Sequence, residues 1–133
     1  LSGLDLHGVR LRQANLSTTI LTEANLSGAD LVEADLSLCD LRKVDLFQTN
    51  CTGADLTGAN LTFAHLAQTN FTAAILREAN LTFADARRAN FTLADLTRAN
   101  LREARLQGAK LNDADLTDAK LQGATMPDGS RHA

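Results

Sequence analysis

Residues 79–98 read ANLTF ADARR ANFTL ADLTR, four blocks of five in which an Ala opens each block and Asp or Asn follows it. The third residue is apolar in every block: Leu81, Ala86, Phe91 and Leu96. Outward from this stretch the same period runs in both directions without a slip. Stepping by five from Leu1 to Met126 gives 26 centres, of which 21 are Leu and the exceptions are Cys51, Phe71, Ala86, Phe91 and Met126. The residue two before the centre is Ala in 18 of 25 cases, and the one just before it is Asp or Asn in 17 of 25. Ser or Thr follows the centre in 13 of 25. Seven of the eight glycines sit two after a centre, which marks that position as a turn, because Gly reaches backbone angles that cost other residues energy.

A period of five suits neither regular element. On an α-helix successive centres would step round the axis by about 140°, leaving no apolar stripe. On a flat strand an odd period sends each centre to the opposite face from the last. A chain that turns a corner every five residues can bury all the centres, with the Ala two before each, in one interior. The sequence therefore predicts a solenoid.

The tandem motif Ala-Asp-Leu-Ser-Gly or Ala-Asn-Leu-Thr-Phe resembles the pentapeptide-repeat family over residues 1–126. The resemblance implies an all-β fold, a right-handed quadrilateral β-helix with four pentapeptides per coil, hence about 6.5 coils and a rod roughly 30 Å long. Residues 127–133 form a C-terminal tail, and the lone proline, Pro127, stands where the repeat stops. The ending Met126-Pro127-Asp128-Gly129-Ser130 is similar to those of cyanobacterial members.

With 16 acids and 13 bases, a net charge of -3, the chain lacks the strong basic balance of a nucleic-acid binder. No apolar run nears the roughly 20 residues of a membrane helix, and no leader pattern precedes the repeat. Cys39 and Cys51 match neither a disulfide framework nor a zinc pattern and read as small core residues. Such thiols fit a cytoplasmic setting, with the periplasm and the thylakoid lumen left open.

If coils are 20 residues long, side chains 20 apart stack. Phe71 then lies on Phe91 inside, and Ala86 makes room for Phe91. Outside, Phe63 and Phe83 form an aromatic ladder between Lys43 and Glu103, and Asn50, Asn70 and Asn90 form an amide ladder. Asp35 on Asp55 and Asp95 on Asp115 place like charges on adjacent rungs, an unfavourable pattern. The aspartates occupy a slot that Asn fills in eight of its 17 acidic or amide cases, which makes them structural rather than catalytic. His7 and His65 lie three coils apart, roughly 14 Å, too far to share an ion. Stacked threonines such as Thr52, Thr72 and Thr92 resemble the hydroxyl arrays of ice-binding solenoids, although Thr is ordinary at that slot.

The function expected is a noncatalytic protein-interaction or scaffolding module, alone or as a domain of a larger protein, with no cofactor, no metal and no membrane contact. The residues expected to meet a protein partner are Phe63 and Phe83 with Arg87, Arg88 and Arg105, since exposed aromatics near arginine make binding hot spots. No terminal cap is visible in the repeat, so Leu121 and Met126 are expected to join two rods end to end as a homodimer, or to be covered by further sequence. The alternative carried by the resemblance is a DNA-mimicking binder of a type II topoisomerase (gyrase). The mixed charge and the many Asn in place of Asp weigh against it.

Overall fold

The computed structural model describes residues 1–133. Parallel bridges join residues 20 apart along the whole repeat, from Asp5–Asn25 to Arg105–Thr125. The chain thus returns onto itself every four pentapeptides, and each pentapeptide forms one side of a coil. Three backbone hydrogen bonds per pentapeptide tie neighbouring coils. For the block centred on Leu61, its N–H donates to Asn80 O (2.7 Å), the Phe63 N–H to Thr82 O (3.0 Å), and the Asn60 N–H reaches back to Cys39 O (2.9 Å). A fourth bond, Ala64 N–H to Leu61 O (2.9 Å), closes the corner.

That 4→1 bond combined with a positive φ at the third residue is the type II turn pattern. The corner residue two after the centre has positive φ in every repeat from Leu1 to Leu121: the seven glycines already noted, and 18 other residues with φ from 55° to 62°. Its side chain points outward, yet each non-glycine there bears left-handed strain of about 1–2 kcal/mol. The cross-coil bonds on both sides of the corner hold it in place.

Inside, a contiguous core of 34 buried residues runs along the rod. Phe71 and Phe91 are fully buried and stacked, ring centroids 5.1 Å apart and planes 7° from parallel, in the coil region that also buries Ala86. Cys51 is buried beside this stack, and burial pushes its thiol up to about 12. Three buried polar side chains stand where Ala is usual, and each finds an inward carbonyl: Thr49 Oγ1 donates to Leu26 O (2.7 Å), Thr69 Oγ1 to Leu46 O (2.6 Å) and Cys39 Sγ to Leu16 O (2.9 Å).

Every Asp and Asn just before a centre accepts, at Oδ1, the backbone N–H two residues on, an Asx turn repeated along the rod. Where Ser or Thr follows the centre, its hydroxyl often adds a second bond to the same oxygen, as Thr72 does to Asn70 at 2.6 Å. The carboxylates stacked as like charges are handled locally. Asp95 receives the Arg77 guanidinium, while Asp35 is held below the usual carboxylate range by the Ser37 hydroxyl and N–H.

The tail does more than end the repeat. Residues 127–132 fold back antiparallel on the last side, with Arg131 bridged to Thr125. The Gly123 N–H donates to His132 O (2.9 Å), the Met126 N–H to Ser130 O (2.7 Å) and the His132 N–H to Ala124 O (2.8 Å). Ala124 is consequently fully buried, while Leu121 and Met126 stay half-buried. One side of this end is covered. No helix of the protein is long and apolar enough to cross a membrane.

Candidate functional site

One side of the rod gathers most of the outward residues that depart from the repeat. Its first corner carries Phe63 and Phe83, and its far corner Gln68, Arg88 and Gly108. Between the corners the 20-residue register forms two columns: His65, Asp85 and Arg105 in one, and Phe47, Ala67, Arg87 and Gln107 in the other.

Phe63 and Phe83 stack with centroids 5.0 Å apart and planes 6° from parallel, and they are 56% and 49% exposed. Two turns of positive φ project them, at 58° each, so the rings stand off the corner. Below them Lys43 pairs with Glu23 (3.7 Å), and above them Glu103 meets Arg131 (3.4 Å). The ladder is the largest aromatic surface left open on the rod.

The three arginines differ in state. Arg87 is pinned to Asp85 through Nε–Oδ1 (2.8 Å) and Nη2–Oδ2 (2.7 Å), a bidentate fork that holds the Asp85 carboxyl below its usual range. Arg105 reaches the same carboxylate at only 4.0 Å. Arg88 makes neither an ion pair nor a side-chain hydrogen bond. Beside them Phe47 and His65 stack with centroids 5.9 Å apart and planes 7° from parallel, and His65 Nδ1 lies 3.2 Å from Asp45 Oδ1.

Between Phe47 and Arg87 the column holds only Ala67. Around it lies an open hollow of about 630 Å³, lined by Phe47, His65, Ala67, Gln68, Arg87, Arg88, Gln107 and Gly108. Gln107, one of these residues, has a buried Oε1 with no hydrogen-bond partner, the one such side-chain atom in the protein. The sequence-level reading placed Phe63, Phe83, Arg87, Arg88 and Arg105 together and missed Ala67 and Gln107. Their signal was an Ala where a hydroxyl residue is usual, between Phe47 and Arg87 in one 20-residue column.

The remaining candidates lie elsewhere. Leu121 and Met126 are at the tail-covered end. His7 Nδ1 is 2.9 Å from Ser27 Oγ, far from His65 in the chain. No cluster of three or more His, Cys, Asp or Glu side chains is arranged to hold a metal ion. The hydroxyls of Thr52, Thr72 and Thr92 are engaged with Asn50, Asn70 and Asn90 at 2.6 Å each, which weakens their reading as a free hydroxyl array.

Compared with known proteins, the chain matches the model for pentapeptide repeats in eight copies, over residues 1–37, 39–77, 54–92, 74–113 and 94–128. Among solved structures it is similar to the pentapeptide repeat protein Rfr23 from the cyanobacterium Cyanothece 51142, with 30% identity, 90% of this chain and 84% of that one covered, and a TM-score of 0.58. HetL, a pentapeptide repeat protein involved in heterocyst differentiation regulation in the cyanobacterium Nostoc, shares 31% identity over 99% of this chain and 89% of its own, at a TM-score of 0.30. QnrB1, a plasmid-mediated fluoroquinolone resistance protein, matches in fold with 18% identity, 94% and 75% coverage and a TM-score of 0.51. No curated protein matches in sequence. The family match and the likenesses to Rfr23 and QnrB1 imply a right-handed quadrilateral β-helix.

Proposed function

The chain belongs to the pentapeptide-repeat family, and from that premise we propose that it is a noncatalytic interaction module whose working surface is the side running from Phe63 and Phe83 to Arg88. On this reading residues 1–126 are a rod of about six and a half coils that presents side chains at fixed spacing to a protein partner. The observation that carries it is the Phe63–Phe83 stack, half exposed and with its rings parallel, beside the arginines. A stacked aromatic pair loses little conformational freedom on binding, and neighbouring guanidinium groups add directional contacts at the rim.

A cytoplasmic setting and the absence of a cofactor belong to the same proposal. So does end-to-end pairing through Leu121 and Met126, though the folded tail confines that contact to the sides it leaves open. The topoisomerase-mimic reading gains no support from this side of the rod, where Arg87 and Asp85 neutralise each other instead of forming an acidic stripe.

The experiment is affinity capture with the wild-type chain and with Phe63→Ser/Phe83→Ser, each partner then confirmed by reciprocal binding with purified protein. The double variant is expected to melt like the wild type and to lose the partner. Equal binding by both proteins would move the interface elsewhere. A gyrase supercoiling assay, expected to show no inhibition, tests the alternative.

A further inference from the structure

We propose that the hollow over Ala67 is a binding site for an aromatic carboxylate bearing an adjacent N–H donor, the chemistry of a chain-terminal or N-acylated aromatic amino acid. Coils stack at about 4.8 Å, so Phe47 and Arg87 attach roughly 10 Å apart with the rung between them vacant above Ala67. That gap accepts one flat ring, since stacked rings and guanidinium planes sit at about 3.5–4 Å surface contact on each side.

Each wall has a distinct role. Phe47, extended by the parallel ring of His65, offers an aromatic face. Arg87, fixed and largely neutralised by Asp85, offers the flat face of its guanidinium. Arg88 supplies the charge. Seven other arginines are paired with carboxylates, namely Arg12, Arg42, Arg77, Arg87, Arg98, Arg105 and Arg131, whereas Arg88 at the rim, like Arg10 away from the hollow, has no acceptor. A ligand carboxylate provides one.

The buried Gln107 Oε1 fixes the third requirement. A buried acceptor with no donor is destabilising, and Gln107 is one of the residues that line the hollow. An amide N–H next to the ligand carboxylate would satisfy it. Ring, carboxylate and N–H together define the class, and a hollow of about 630 Å³ lies in the range of small-ligand sites.

The hollow lies on the proposed working surface and shares Arg87 and Arg88 with it, but neither Phe63 nor Phe83 lines it, so the two readings can fail separately. The test is an NMR titration of the labelled chain with N-acetylphenylalanine, with N-acetylphenylalanine amide and 3-phenylpropionate as probes lacking the carboxylate and the N–H. Saturable shifts are expected at Phe47, His65, Ala67, Arg88 and Gln107. The amide probe and the Arg88→Gln variant are each expected to bind at least about tenfold more weakly, as befits a lost charged hydrogen bond. Ala67→Thr, which restores a residue common at that slot, is expected to abolish binding with the melting temperature unchanged.

A tetrapeptide ending in Phe distinguishes the sources: tighter binding than the single residue assigns the site to a partner's C-terminus, equal binding to a free acid. Phe63→Ser/Phe83→Ser should bind the probe like the wild type, so failure of one proposal leaves the other standing. Absence of saturable shifts at these residues, or undiminished binding by Ala67→Thr, would overturn the site.

Discussion

At the position before each centre, Asp and Asn interchange because the chain uses only what they share, a side-chain oxygen placed to accept the N–H two residues on. Asn70 shows the device complete, with Oδ1 accepting both the Thr72 N–H (3.0 Å) and the Thr72 hydroxyl (2.6 Å). Asn70→Ala is therefore expected to cost about 1 kcal/mol in urea unfolding, and Asn70→Asp to be nearly neutral. Equal losses in both variants would show that the amide ladder, not the turn, matters. The slot's structural role was legible from its composition, but the acceptor's partner was not, because a sequence does not display N–H directions. Where Asp stands there, charge adds a pH dependence. The carboxyls of Asp85, held by Arg87, Asp40, held by Arg42, and Asp35, held by Ser37, lie below their ordinary range when folded. A lowered folded value means the contribution is complete above the unfolded carboxylate value of about 3.9 and lost as pH falls through the folded values. The melting temperature should accordingly be unaffected by these groups from pH 7 to about 5 and fall below about pH 4. Asp85→Asn, which keeps the N–H acceptor but not the ion pair, should make that fall shallower.

At the scale of one pentapeptide, the corner was readable from seven glycines, yet the structure requires the same left-handed backbone of Leu38, Phe63, Leu93 and the rest. Sequence marks only the corners where Gly relieves the strain. The others are imposed by the cross-coil bonds, which is why composition alone does not reveal them. The interior follows volume in the same non-local way. Phe71 and Phe91 fill space that Leu fills elsewhere, and the undersized Ala86 shares Phe91's coil with no exposure of either. Ala86→Leu should overpack that coil and cost about 1–3 kcal/mol, with Ala86→Leu/Phe91→Leu recovering most of the loss. Thermal melts of the two variants decide it, and an unchanged melt for Ala86→Leu would break the pairing. The hollow depends on the same column logic. Ala67, in the outward slot just after centre Leu66 where Ser or Thr is usual, is unremarkable until the 20-residue register places it between Phe47 and Arg87.

Over the whole rod, each coil is secured only by the coils beside it, so stability is distributed along one dimension and depends on the ends. What covers them was the least legible feature. The tail contains no repeat, and its return over Thr125 rests on a turn at Pro127–Gly129 joined to backbone bonds that no periodic pattern announces. The cover is partial. The N–H groups of Leu111, Asp113, Leu116 and Asp118 face beyond the last coil without a backbone acceptor, whereas Gly123 and Met126 donate to tail carbonyls. Native-state hydrogen exchange should therefore be graded. The amides of Phe71, Leu76 and Leu81, bonded on to the next coil, should exchange near the global unfolding limit, and those of Leu111, Asp113, Leu116 and Asp118 should exchange fast. Removing residues 127–133 should release Gly123 and Met126 into the fast class and leave the central coils unchanged. Uniform protection from Leu61 to Leu116 would mean that the rod opens as one unit, and that its open sides are covered in solution by a second copy of the chain.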